Sequence, residues 1–513
     1  MRKRPFGIPS LEARRAWVDV AMGRRAPSRY LRGGRVLNVF TGEVLPAGVA
    51  IVDDRIAYVG PEEPAIDATT IIDDVTGYVL VPGYIEIHVH PFQLNTPAVF
   101  AQWIASRGTT TIVADTLQIL SLFRDQASQL LDADLGAPVR VLWGLRTGPQ
   151  TELLGDDPIR AAFGLTAEQL AALLDHPRVV EVFEWSAWQE TVRQGAPLPP
   201  VVAAALERGL PVDAHAPGAS SRTLAGLAAA GASDCHESLN VEDVLARLRL
   251  GLYAPLRYSS LRPDLPELVA AVRATDGFER LMLTSDGAMP DYLRAGLMDQ
   301  VIQTAIDNGV APADAIRMAT LHPASYLGLD GDLGALAPGR LADILVLEDP
   351  ARPTPVRVYL GGRPLEEQAQ PDWGPEAATV VAPALRRAPA VDAFRLRPEH
   401  VGLAAQTAAD RIEVPVIELS NAVITRLATA ELPVRDATID FTADPSLVLA
   451  VLVDPAAGRA VRALVRGLGR IDGLASTYTC AFQPLVLGRN PEAMARAAAR
   501  LARSGPGISL FDA

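Results

Sequence analysis

Short runs rich in valine, isoleucine and leucine recur through the middle of the chain, and each is followed by a stretch with apolar residues at helical spacing. The runs at 84–90, 109–114, 139–145, 179–183, 212–215, 232–236, 252–258 and 281–284 read as strands. Those at 96–106, 122–131, 167–174, 200–208, 221–230, 240–250 and 266–274 read as helices. Asn240 opens one of these, where an amide side chain can cap a helix N-terminus. The strand runs are nearly continuous in apolar residues, which suits strands covered on both faces. Eight strand–helix repeats over ~250 residues have the size and rhythm of a (β/α)8 TIM barrel. The repeats differ from one another in sequence, which excludes a solenoid.

A different rhythm flanks this region. Residues 35–59 and 334–362 carry short strands punctuated by Thr41-Gly42, Asp53-Asp54, Pro338-Gly339 and Gly361-Gly362. Two β segments on either side of an inserted barrel predict one small composite domain, built from 1–81 plus 331–370, with the barrel at 82–330. A helical lead-in is expected at 11–24. Residues 371–397, rich in proline, alanine and arginine, read as a linker. Residues 398–513 hold apolar strands at 414–419 and 447–453 and a late helix at 491–503, the mark of an extra C-terminal α/β domain.

Composition adds limits. A length of 513 residues fits two or three domains. The formal charge of −13 argues against a nucleic-acid or anionic-membrane partner. No run approaches the ~18–20 apolar residues of a membrane span. The basic start, Met1-Arg2-Lys3-Arg4, is not followed by an apolar signal core, so a cytoplasmic location is expected. Cys235 and Cys480 make no disulfide framework.

The histidines carry more information, because the chain has only seven. In a (β/α)8 barrel functional side chains come from the C-terminal ends of the strands. Those ends hold His88 and His90, Glu184, His215, His236 and Asp286. His88 and His90 stand two apart, so a strand presents both on one face. His176, His322 and His400 fall elsewhere and read as structural or exposed. Imidazoles and carboxylates without thiolates suit zinc, manganese, iron or cobalt. Glu184, between two histidine pairs, could bridge two ions. Metal-bound water ionises near neutrality and becomes a nucleophile, and Asp286 is placed to act as general base and then general acid.

Neighbouring residues suggest the substrate. Trp185 and Trp188 could stack on a flat heterocycle or pack between strand and helix. Arg146 and Arg262 could pair with a substrate carboxylate or lie solvated at the surface. Glu237 could orient substrate or His236. Arg257 and Gln93 complete the candidate substrate contacts. Cys235 reads as a small buried residue.

Pro82-Gly83-Tyr84-Ile85-Glu86-Ile87-His88-Val89-His90, the lone His215 and His236, and Thr284-Ser285-Asp286 resemble the amidohydrolase superfamily. Residues 337–347 resemble the β-sandwich that accompanies its barrel. Several stretches are similar to the adenine deaminase family: Arg107-Gly108-Thr109-Thr110-Thr111-Ile112-Val113-Ala114-Asp115, His215-Ala216-Pro217-Gly218, His236-Glu237, and Met318-Ala319-Thr320-Leu321-His322-Pro323-Ala324. The stretch from Leu474 to Ile508 resembles that family's C-terminal domain. His-Val-His-Pro-Phe-Gln-Leu at 88–94 and the segment 257–264 place the chain in a divergent branch. The resemblance implies a distorted barrel, a composite β-sandwich and a binuclear centre bridged by Glu184.

The chain departs from the family at several points. Pro91-Phe92-Gln93-Leu94 stands where Ile-Glu-Ser-Ser is usual, and Asp115-Thr116-Leu117-Gln118 where Asp-Pro-His-Glu is usual. Trp185 and Trp188 replace methionines and asparagine.

The expectation is thus a metal-dependent hydrolase of a C–N bond, cytoplasmic and a homo-oligomer (dimer). It would hold two divalent ions, manganese, iron or zinc, with Asp286, Glu184 and Glu237 as its catalytic residues. The expected reaction is deamination of adenine or a related aminated heterocycle, by metal-bound hydroxide with release of ammonia, within purine metabolism. The alternative is cleavage of a cyclic or acyl amide at the same centre, and a third reading is a catalytically silent homologue.

Overall fold

The computed structural model describes residues 5–92, 95, 97–133, 138–149, 158–275, 277–287, 290–368, 396, 398–421, 424–454, 459–479, 481, 483–505 and 507–512. Gln93 and, apart from Leu396, the linker expected at 371–397 lie outside these residues. The chain falls into two compact units, Met1–Gly148 with Ile159–Ala384, and Pro149–Pro158 with Leu385–Ala513.

In the first unit, strands Tyr84–His90, Thr109–Asp115, Arg140–Arg146, Val179–Trp185 and Val212–Ala214 lie side by side in chain order and parallel. Ala254–Arg257 pairs in parallel with Leu281–Thr284. The chain then turns at Ser285, so that Asp286 and Gly287 pair with Val89 and His90 of the first strand. This closes the ring. The strand expected at 232–236 is reduced, among the described residues, to Asp234, which bridges Asp213 on one side and Tyr253 on the other. The segment lacks the run of β-branched residues that favours a pleated strand, and the buried Asp234 carboxylate takes a hydrogen bond from the Tyr326 hydroxyl at 2.6 Å. The barrel is therefore distorted.

Two apolar layers hold it. Ile85, Ile87, Val113, Leu142, Val180, Phe183 and Met282 form one buried cluster. Val89, Ala114, Trp143, Val182 and Ala214 belong to a larger one that the surrounding helices share. Each such side chain, fully buried, is worth about 1.5–3 kcal/mol over exposure. Two expected helices are interrupted, and the one at 266–274 divides into Leu265–Leu268 and Ala270–Arg273. In place of 122–131 there are Leu117–Phe123 and Ala127–Asp132, with Arg124 between them at a φ of 52°. The helix begins early because Asp115 Oδ1 accepts a bond from the Leu117 amide at 2.8 Å.

The flanking segments make two sheets in the same unit. Arg55–Gly60, Gly48–Val52, Arg29–Arg32 and Ile71–Asp74 form one. Arg363–Pro364, Arg357–Leu360, Ile344–Leu347, Val79–Pro82, Arg35–Leu37 and Val44–Pro46 form the other. Ile344–Leu347 pairs antiparallel with Val79–Pro82, which runs straight into the first barrel strand. Leu31, Val49, Ile51, Leu80, Ile344 and Tyr359 fill the core between the sheets.

Among the described residues, the second unit is an eight-stranded sheet with one long helix, Pro491–Ser504. Asn490 caps that helix by accepting from the Glu492 and Ala493 amides. Ala493, Met494, Ala497, Ala498 and Leu501 bury one stripe. Strands Arg411–Leu419, Leu447–Asp454 and the helix match the expectation; Thr425–Arg435 and Arg459–Arg466 had no apolar signature. Among the described residues, no helix is long and apolar enough to cross a membrane.

His322 is buried against the barrel, its Nδ1 bonded to the Leu281 carbonyl at 2.8 Å. Burial lowers its pKa below the ordinary value, outweighing that bond. The folded chain then resists a proton that the unfolded chain accepts, so stability is complete above the ordinary value of about 6.5 and falls as pH drops below it. His322→Gln keeps an N–H donor and should lose this sensitivity. Between pH 7.5 and 5.5 the Tm of the wild type should fall more than that of the variant; parallel Tm curves would refute this.

Candidate metal centre

The first barrel strand delivers two imidazoles to the same place, as its alternation predicts. The rings of His88 and His90 have centroids 5.2 Å apart. His88 also stacks on Phe183 at 4.0 Å and lies 3.9 Å from the His236 ring. Glu184 and Asp286 face them. Glu184 Oε1 is 3.5 Å from His88 Nε2 and 3.0 Å from His90 Nε2. Asp286 Oδ1 is 3.6 Å and 3.2 Å from the same atoms.

Both acids sit on unusual backbone. Glu184 has a φ of 46° and Asp286 of 59°, a region costly for residues with a Cβ. At Glu184 the pairing register slips. At Asp286 the turn is braced by Glu86, which accepts bonds from the Ser285 amide at 2.8 Å and the Thr284 hydroxyl at 2.6 Å. The strain re-aims two carboxylates into the centre of the barrel mouth.

The outward nitrogens of three histidines are all held by carboxylates. Asp115 accepts from His90 Nδ1 at 2.8 Å. Asp213 Oδ1 accepts from His236 Nδ1 at 3.1 Å, and its Oδ2 lies 3.3 Å from His88 Nδ1. Each Nε2 is thereby turned inward. Among the described residues, His88 Nε2 and His236 Nε2 are buried and have no hydrogen-bond partner, an expensive condition for polar atoms unless a cation satisfies them. His215 enters through its other nitrogen: Nδ1 is buried and without a partner, 3.9 Å from Glu184 Oε1 and 3.5 Å from Glu237 Oε1. Asp115 and Asp213 were not expected from the sequence. Their one signal was position, a strand end for Asp115 and two residues before His215 for Asp213.

The field of the site favours positive charge. Burial would raise Asp286, yet the bonds and charges of His90, Arg257 and His236 hold it well below the usual carboxylate range. Burial is likewise overcome at Glu184 by Arg146, His90 and His88. At His90 the lowering by burial is reversed by Glu184, Asp115 and Asp286, which raise the imidazole well above its ordinary value. A site that draws protons onto imidazoles in this way draws a divalent cation more strongly. His88, Glu184, His236 and Asp286 each offer an atom within 4.8 Å of the others, and so do His215, His236 and Glu237. The residues present fit a divalent metal.

The other candidates fall as follows. Trp185 and Trp188 are both buried in the helix-side core, and Trp188 donates its indole N–H to the His215 carbonyl at 2.8 Å. Packing, rather than stacking on a substrate, is what this arrangement gives them. Arg146 and Arg262 are not at the solvated surface. Arg146 is 2% exposed and holds Asp115 with two bonds of 2.8 Å and Glu184 Oε2 with a third. Arg257 bonds Glu237 Oε1 at 2.6 Å, Glu237 Oε2 at 3.0 Å and Asp286 Oδ2 at 2.9 Å. Arg262 bonds Glu237 Oε2 at 3.2 Å and Asp264 at 2.6 Å. These three guanidiniums are occupied by carboxylates of the chain. Cys235 is buried and free. His176 pairs with Asp132, and His400 is buried in the second unit.

Residues 79–365 match the amidohydrolase family, and residues 422–513 match the adenine deaminase C-terminal domain. An adenine deaminase of Moorella thermoacetica is 33% identical over 98% of this chain and 85% of its own length. Adenine deaminase 3 of Rhizobium meliloti is 32% identical over 96% of this chain and 84% of its own. Among solved structures, phenylurea hydrolase B aligns with a TM-score of 0.50 at 16% identity, covering 68% of this chain and 99% of its own, a likeness of fold.

Asp213 serves two histidines at once, so Asp213→Asn must leave one of them facing an amide that cannot accept on both sides. Metal affinity, measured by competition with a chelating dye, should fall by about 10–100-fold. An unchanged affinity would show that the histidines are oriented by something else.

Proposed function

Because the chain belongs to the amidohydrolase family, within its adenine deaminase branch, and is a hydrolase of C–N bonds, we propose that it hydrolytically deaminates adenine or a related aminated nitrogen heterocycle. The observation that carries this reading is the convergence of His88 Nε2, His90 Nε2, Glu184 Oε1 and Asp286 Oδ1, within 3.0–3.6 Å along the four pairings between imidazole and carboxylate. His88, His90, Glu184, His215, His236 and Asp286 are the proposed metal ligands, and their nitrogen and oxygen donors suit zinc, manganese or iron(II). A divalent ion held there supplies Lewis acidity, which brings the pKa of water toward neutrality.

The chain's own residues do the rest. Asp286 presents Oδ1 to the centre while Arg257 holds Oδ2 at 2.9 Å, so Oδ2 is fixed and Oδ1 is the oxygen that faces the reacting atoms. Water adds to the ring carbon that bears the amino group, and Asp286 Oδ1 takes its proton. The C–N bond then breaks, the same proton goes to the departing nitrogen, ammonia leaves, and the ring carbon keeps the oxygen. Glu184 and Asp286 remain anionic through the cycle except while Asp286 carries that proton. Asp115 and Asp213 keep the imidazoles aligned.

Purified, metal-loaded protein should release ammonia from adenine with hypoxanthine as the other product, and treatment with a chelator should abolish this until metal is restored. Asp286→Asn should lower kcat by about 10²–10⁴-fold. Hydrolysis of a cyclic or acyl amide with adenine untouched would replace this reading with the amide one. Metal-loaded protein inert toward both substrate classes would make it a silent homologue.

A further inference from the structure

The helix Leu11–Ala21 carries two apolar stripes, where packing on one sheet needs only one. Trp17 and Val20 form the buried stripe, set among Tyr30, Ala50, Val52 and Ala57 of the four-stranded sheet. Leu11, Val18 and Met22 lie seven and eleven places apart. At 3.6 residues per turn that puts them within about 40° of one line, on the other side of the helix. They are 86%, 53% and 65% exposed, and Ile8, just ahead of the capping Ser10, is 71% exposed. Single exposed apolar residues are ordinary on a protein surface, but a row of them rimmed by charge marks a contact.

Arginines form that rim. Arg14 and Arg15 flank the row on its two sides, and Arg24 and Arg25 follow Gly23, whose φ of 67° ends the helix. Arg24 pairs with Asp19 at 2.7 Å, whereas Arg14, Arg15 and Arg25 have no carboxylate partner among the described residues. The first 25 residues hold seven Lys and Arg against two acids, in a chain whose net charge is −13. The whole-chain balance that argues against an anionic surface therefore does not describe this face. The row is also preformed, because Ser10 accepts from the Ala13 amide at 3.1 Å and Trp17 pins the helix to the sheet. Binding through it costs little ordering.

Apolar side chains set among arginines on a helix lying flat suit a lipid interface, where the apolar tips enter below the headgroups and guanidiniums meet phosphates. A second copy of the chain suits the row less well. Pairing it with itself would bring the Arg14 and Arg15 of each copy close together. The row also covers only about 17 Å by 10 Å, a small part of the ~800 Å² per partner in a stable interface. We infer that this face of the helix docks the protein on the surface of an anionic lipid bilayer. Ile8, Leu11, Val18 and Met22 enter the interface, and Arg14, Arg15 and Arg25 hold lipid phosphates. The contact is peripheral and reversible.

The test is sedimentation of the full-length protein with vesicles of phosphatidylcholine alone or mixed with phosphatidylglycerol. The wild type should bind the mixed vesicles at least ~10-fold more tightly, and raising salt from about 0.1 M to about 0.5 M should weaken that binding. Arg14→Gln combined with Arg15→Gln should weaken it about 25-fold, at about fivefold per guanidinium. Leu11→Ser combined with Val18→Ser should also weaken it, and Leu427→Ser, at a leucine 80% exposed on the second unit, should leave it unchanged. Equal binding to both vesicles, no binding, or an equal loss in Leu427→Ser would overturn the inference. So would wild-type dimers that Leu11→Ser with Val18→Ser dissociates while vesicles go unbound, since the row then belongs to a second copy. Should a variant fail to fold, oxidative footprinting of the wild type decides: mixed vesicles should shield the Met22 thioether from oxidation, and an unshielded Met22 defeats the assignment.

Discussion

The Asp213 carboxylate, 1% exposed, accepts from His236 Nδ1 and the Glu184 backbone amide and lies 3.3 Å from His88 Nδ1. One side chain thus ties together the first, fourth, fifth and sixth segments of the barrel mouth. Without it, a buried charge would be unpaired and two buried imidazoles would be free to turn, each condition costing more than a surface contact could return. With it, ring orientation, tautomer and the position of the strained Glu184 are set by one residue. The rest of the site depends on this because the other anions are arranged around histidines whose Nε2 atoms already face inward.

The barrel accepts local strain to achieve that arrangement. Left-handed φ values at Glu184 and Asp286 cost on the order of 1–3 kcal/mol each. They are sustained by tight surroundings. Phe183, immediately before Glu184, packs its ring against His88 on one side and fills the space above Gly144, where an added Cβ would come within 2.1 Å of the ring. Glu86 holds the turn at Thr284 and Ser285. The reduced sixth strand belongs to the same pattern, since regular pairing there would present His236 and Glu237 to opposite faces.

Much of this was legible in the chain. Strand–helix alternation, the split β segments and the strand-end positions of His88, His90, Glu184, His215, His236 and Asp286 follow from periodicity, which reports local burial well. What periodicity does not report is pairing between residues far apart. Asp115 and Asp213 look like ordinary strand-end acids until the fold sets them against His90, His88 and His236. Arg146 and Arg262 read as solvated more readily than as substrate contacts and Arg257 read as a substrate contact, while their commitment to buried carboxylates depends on neighbours 20 to 38 residues away. Trp185 followed a ligand in sequence, but successive side chains on a strand face opposite ways, and it is buried on the helix side.

The three arginines also bear on how the protein matures. Asp115, Glu184, Glu237, Asp264 and Asp286 would repel one another in a newly made chain with no metal in place. Arg146, Arg257 and Arg262 each contact two or more of these acids, so compensating charge is built into the polypeptide itself. Part of the charge that offsets the repulsion of bringing these acids together is thus carried by the polypeptide itself.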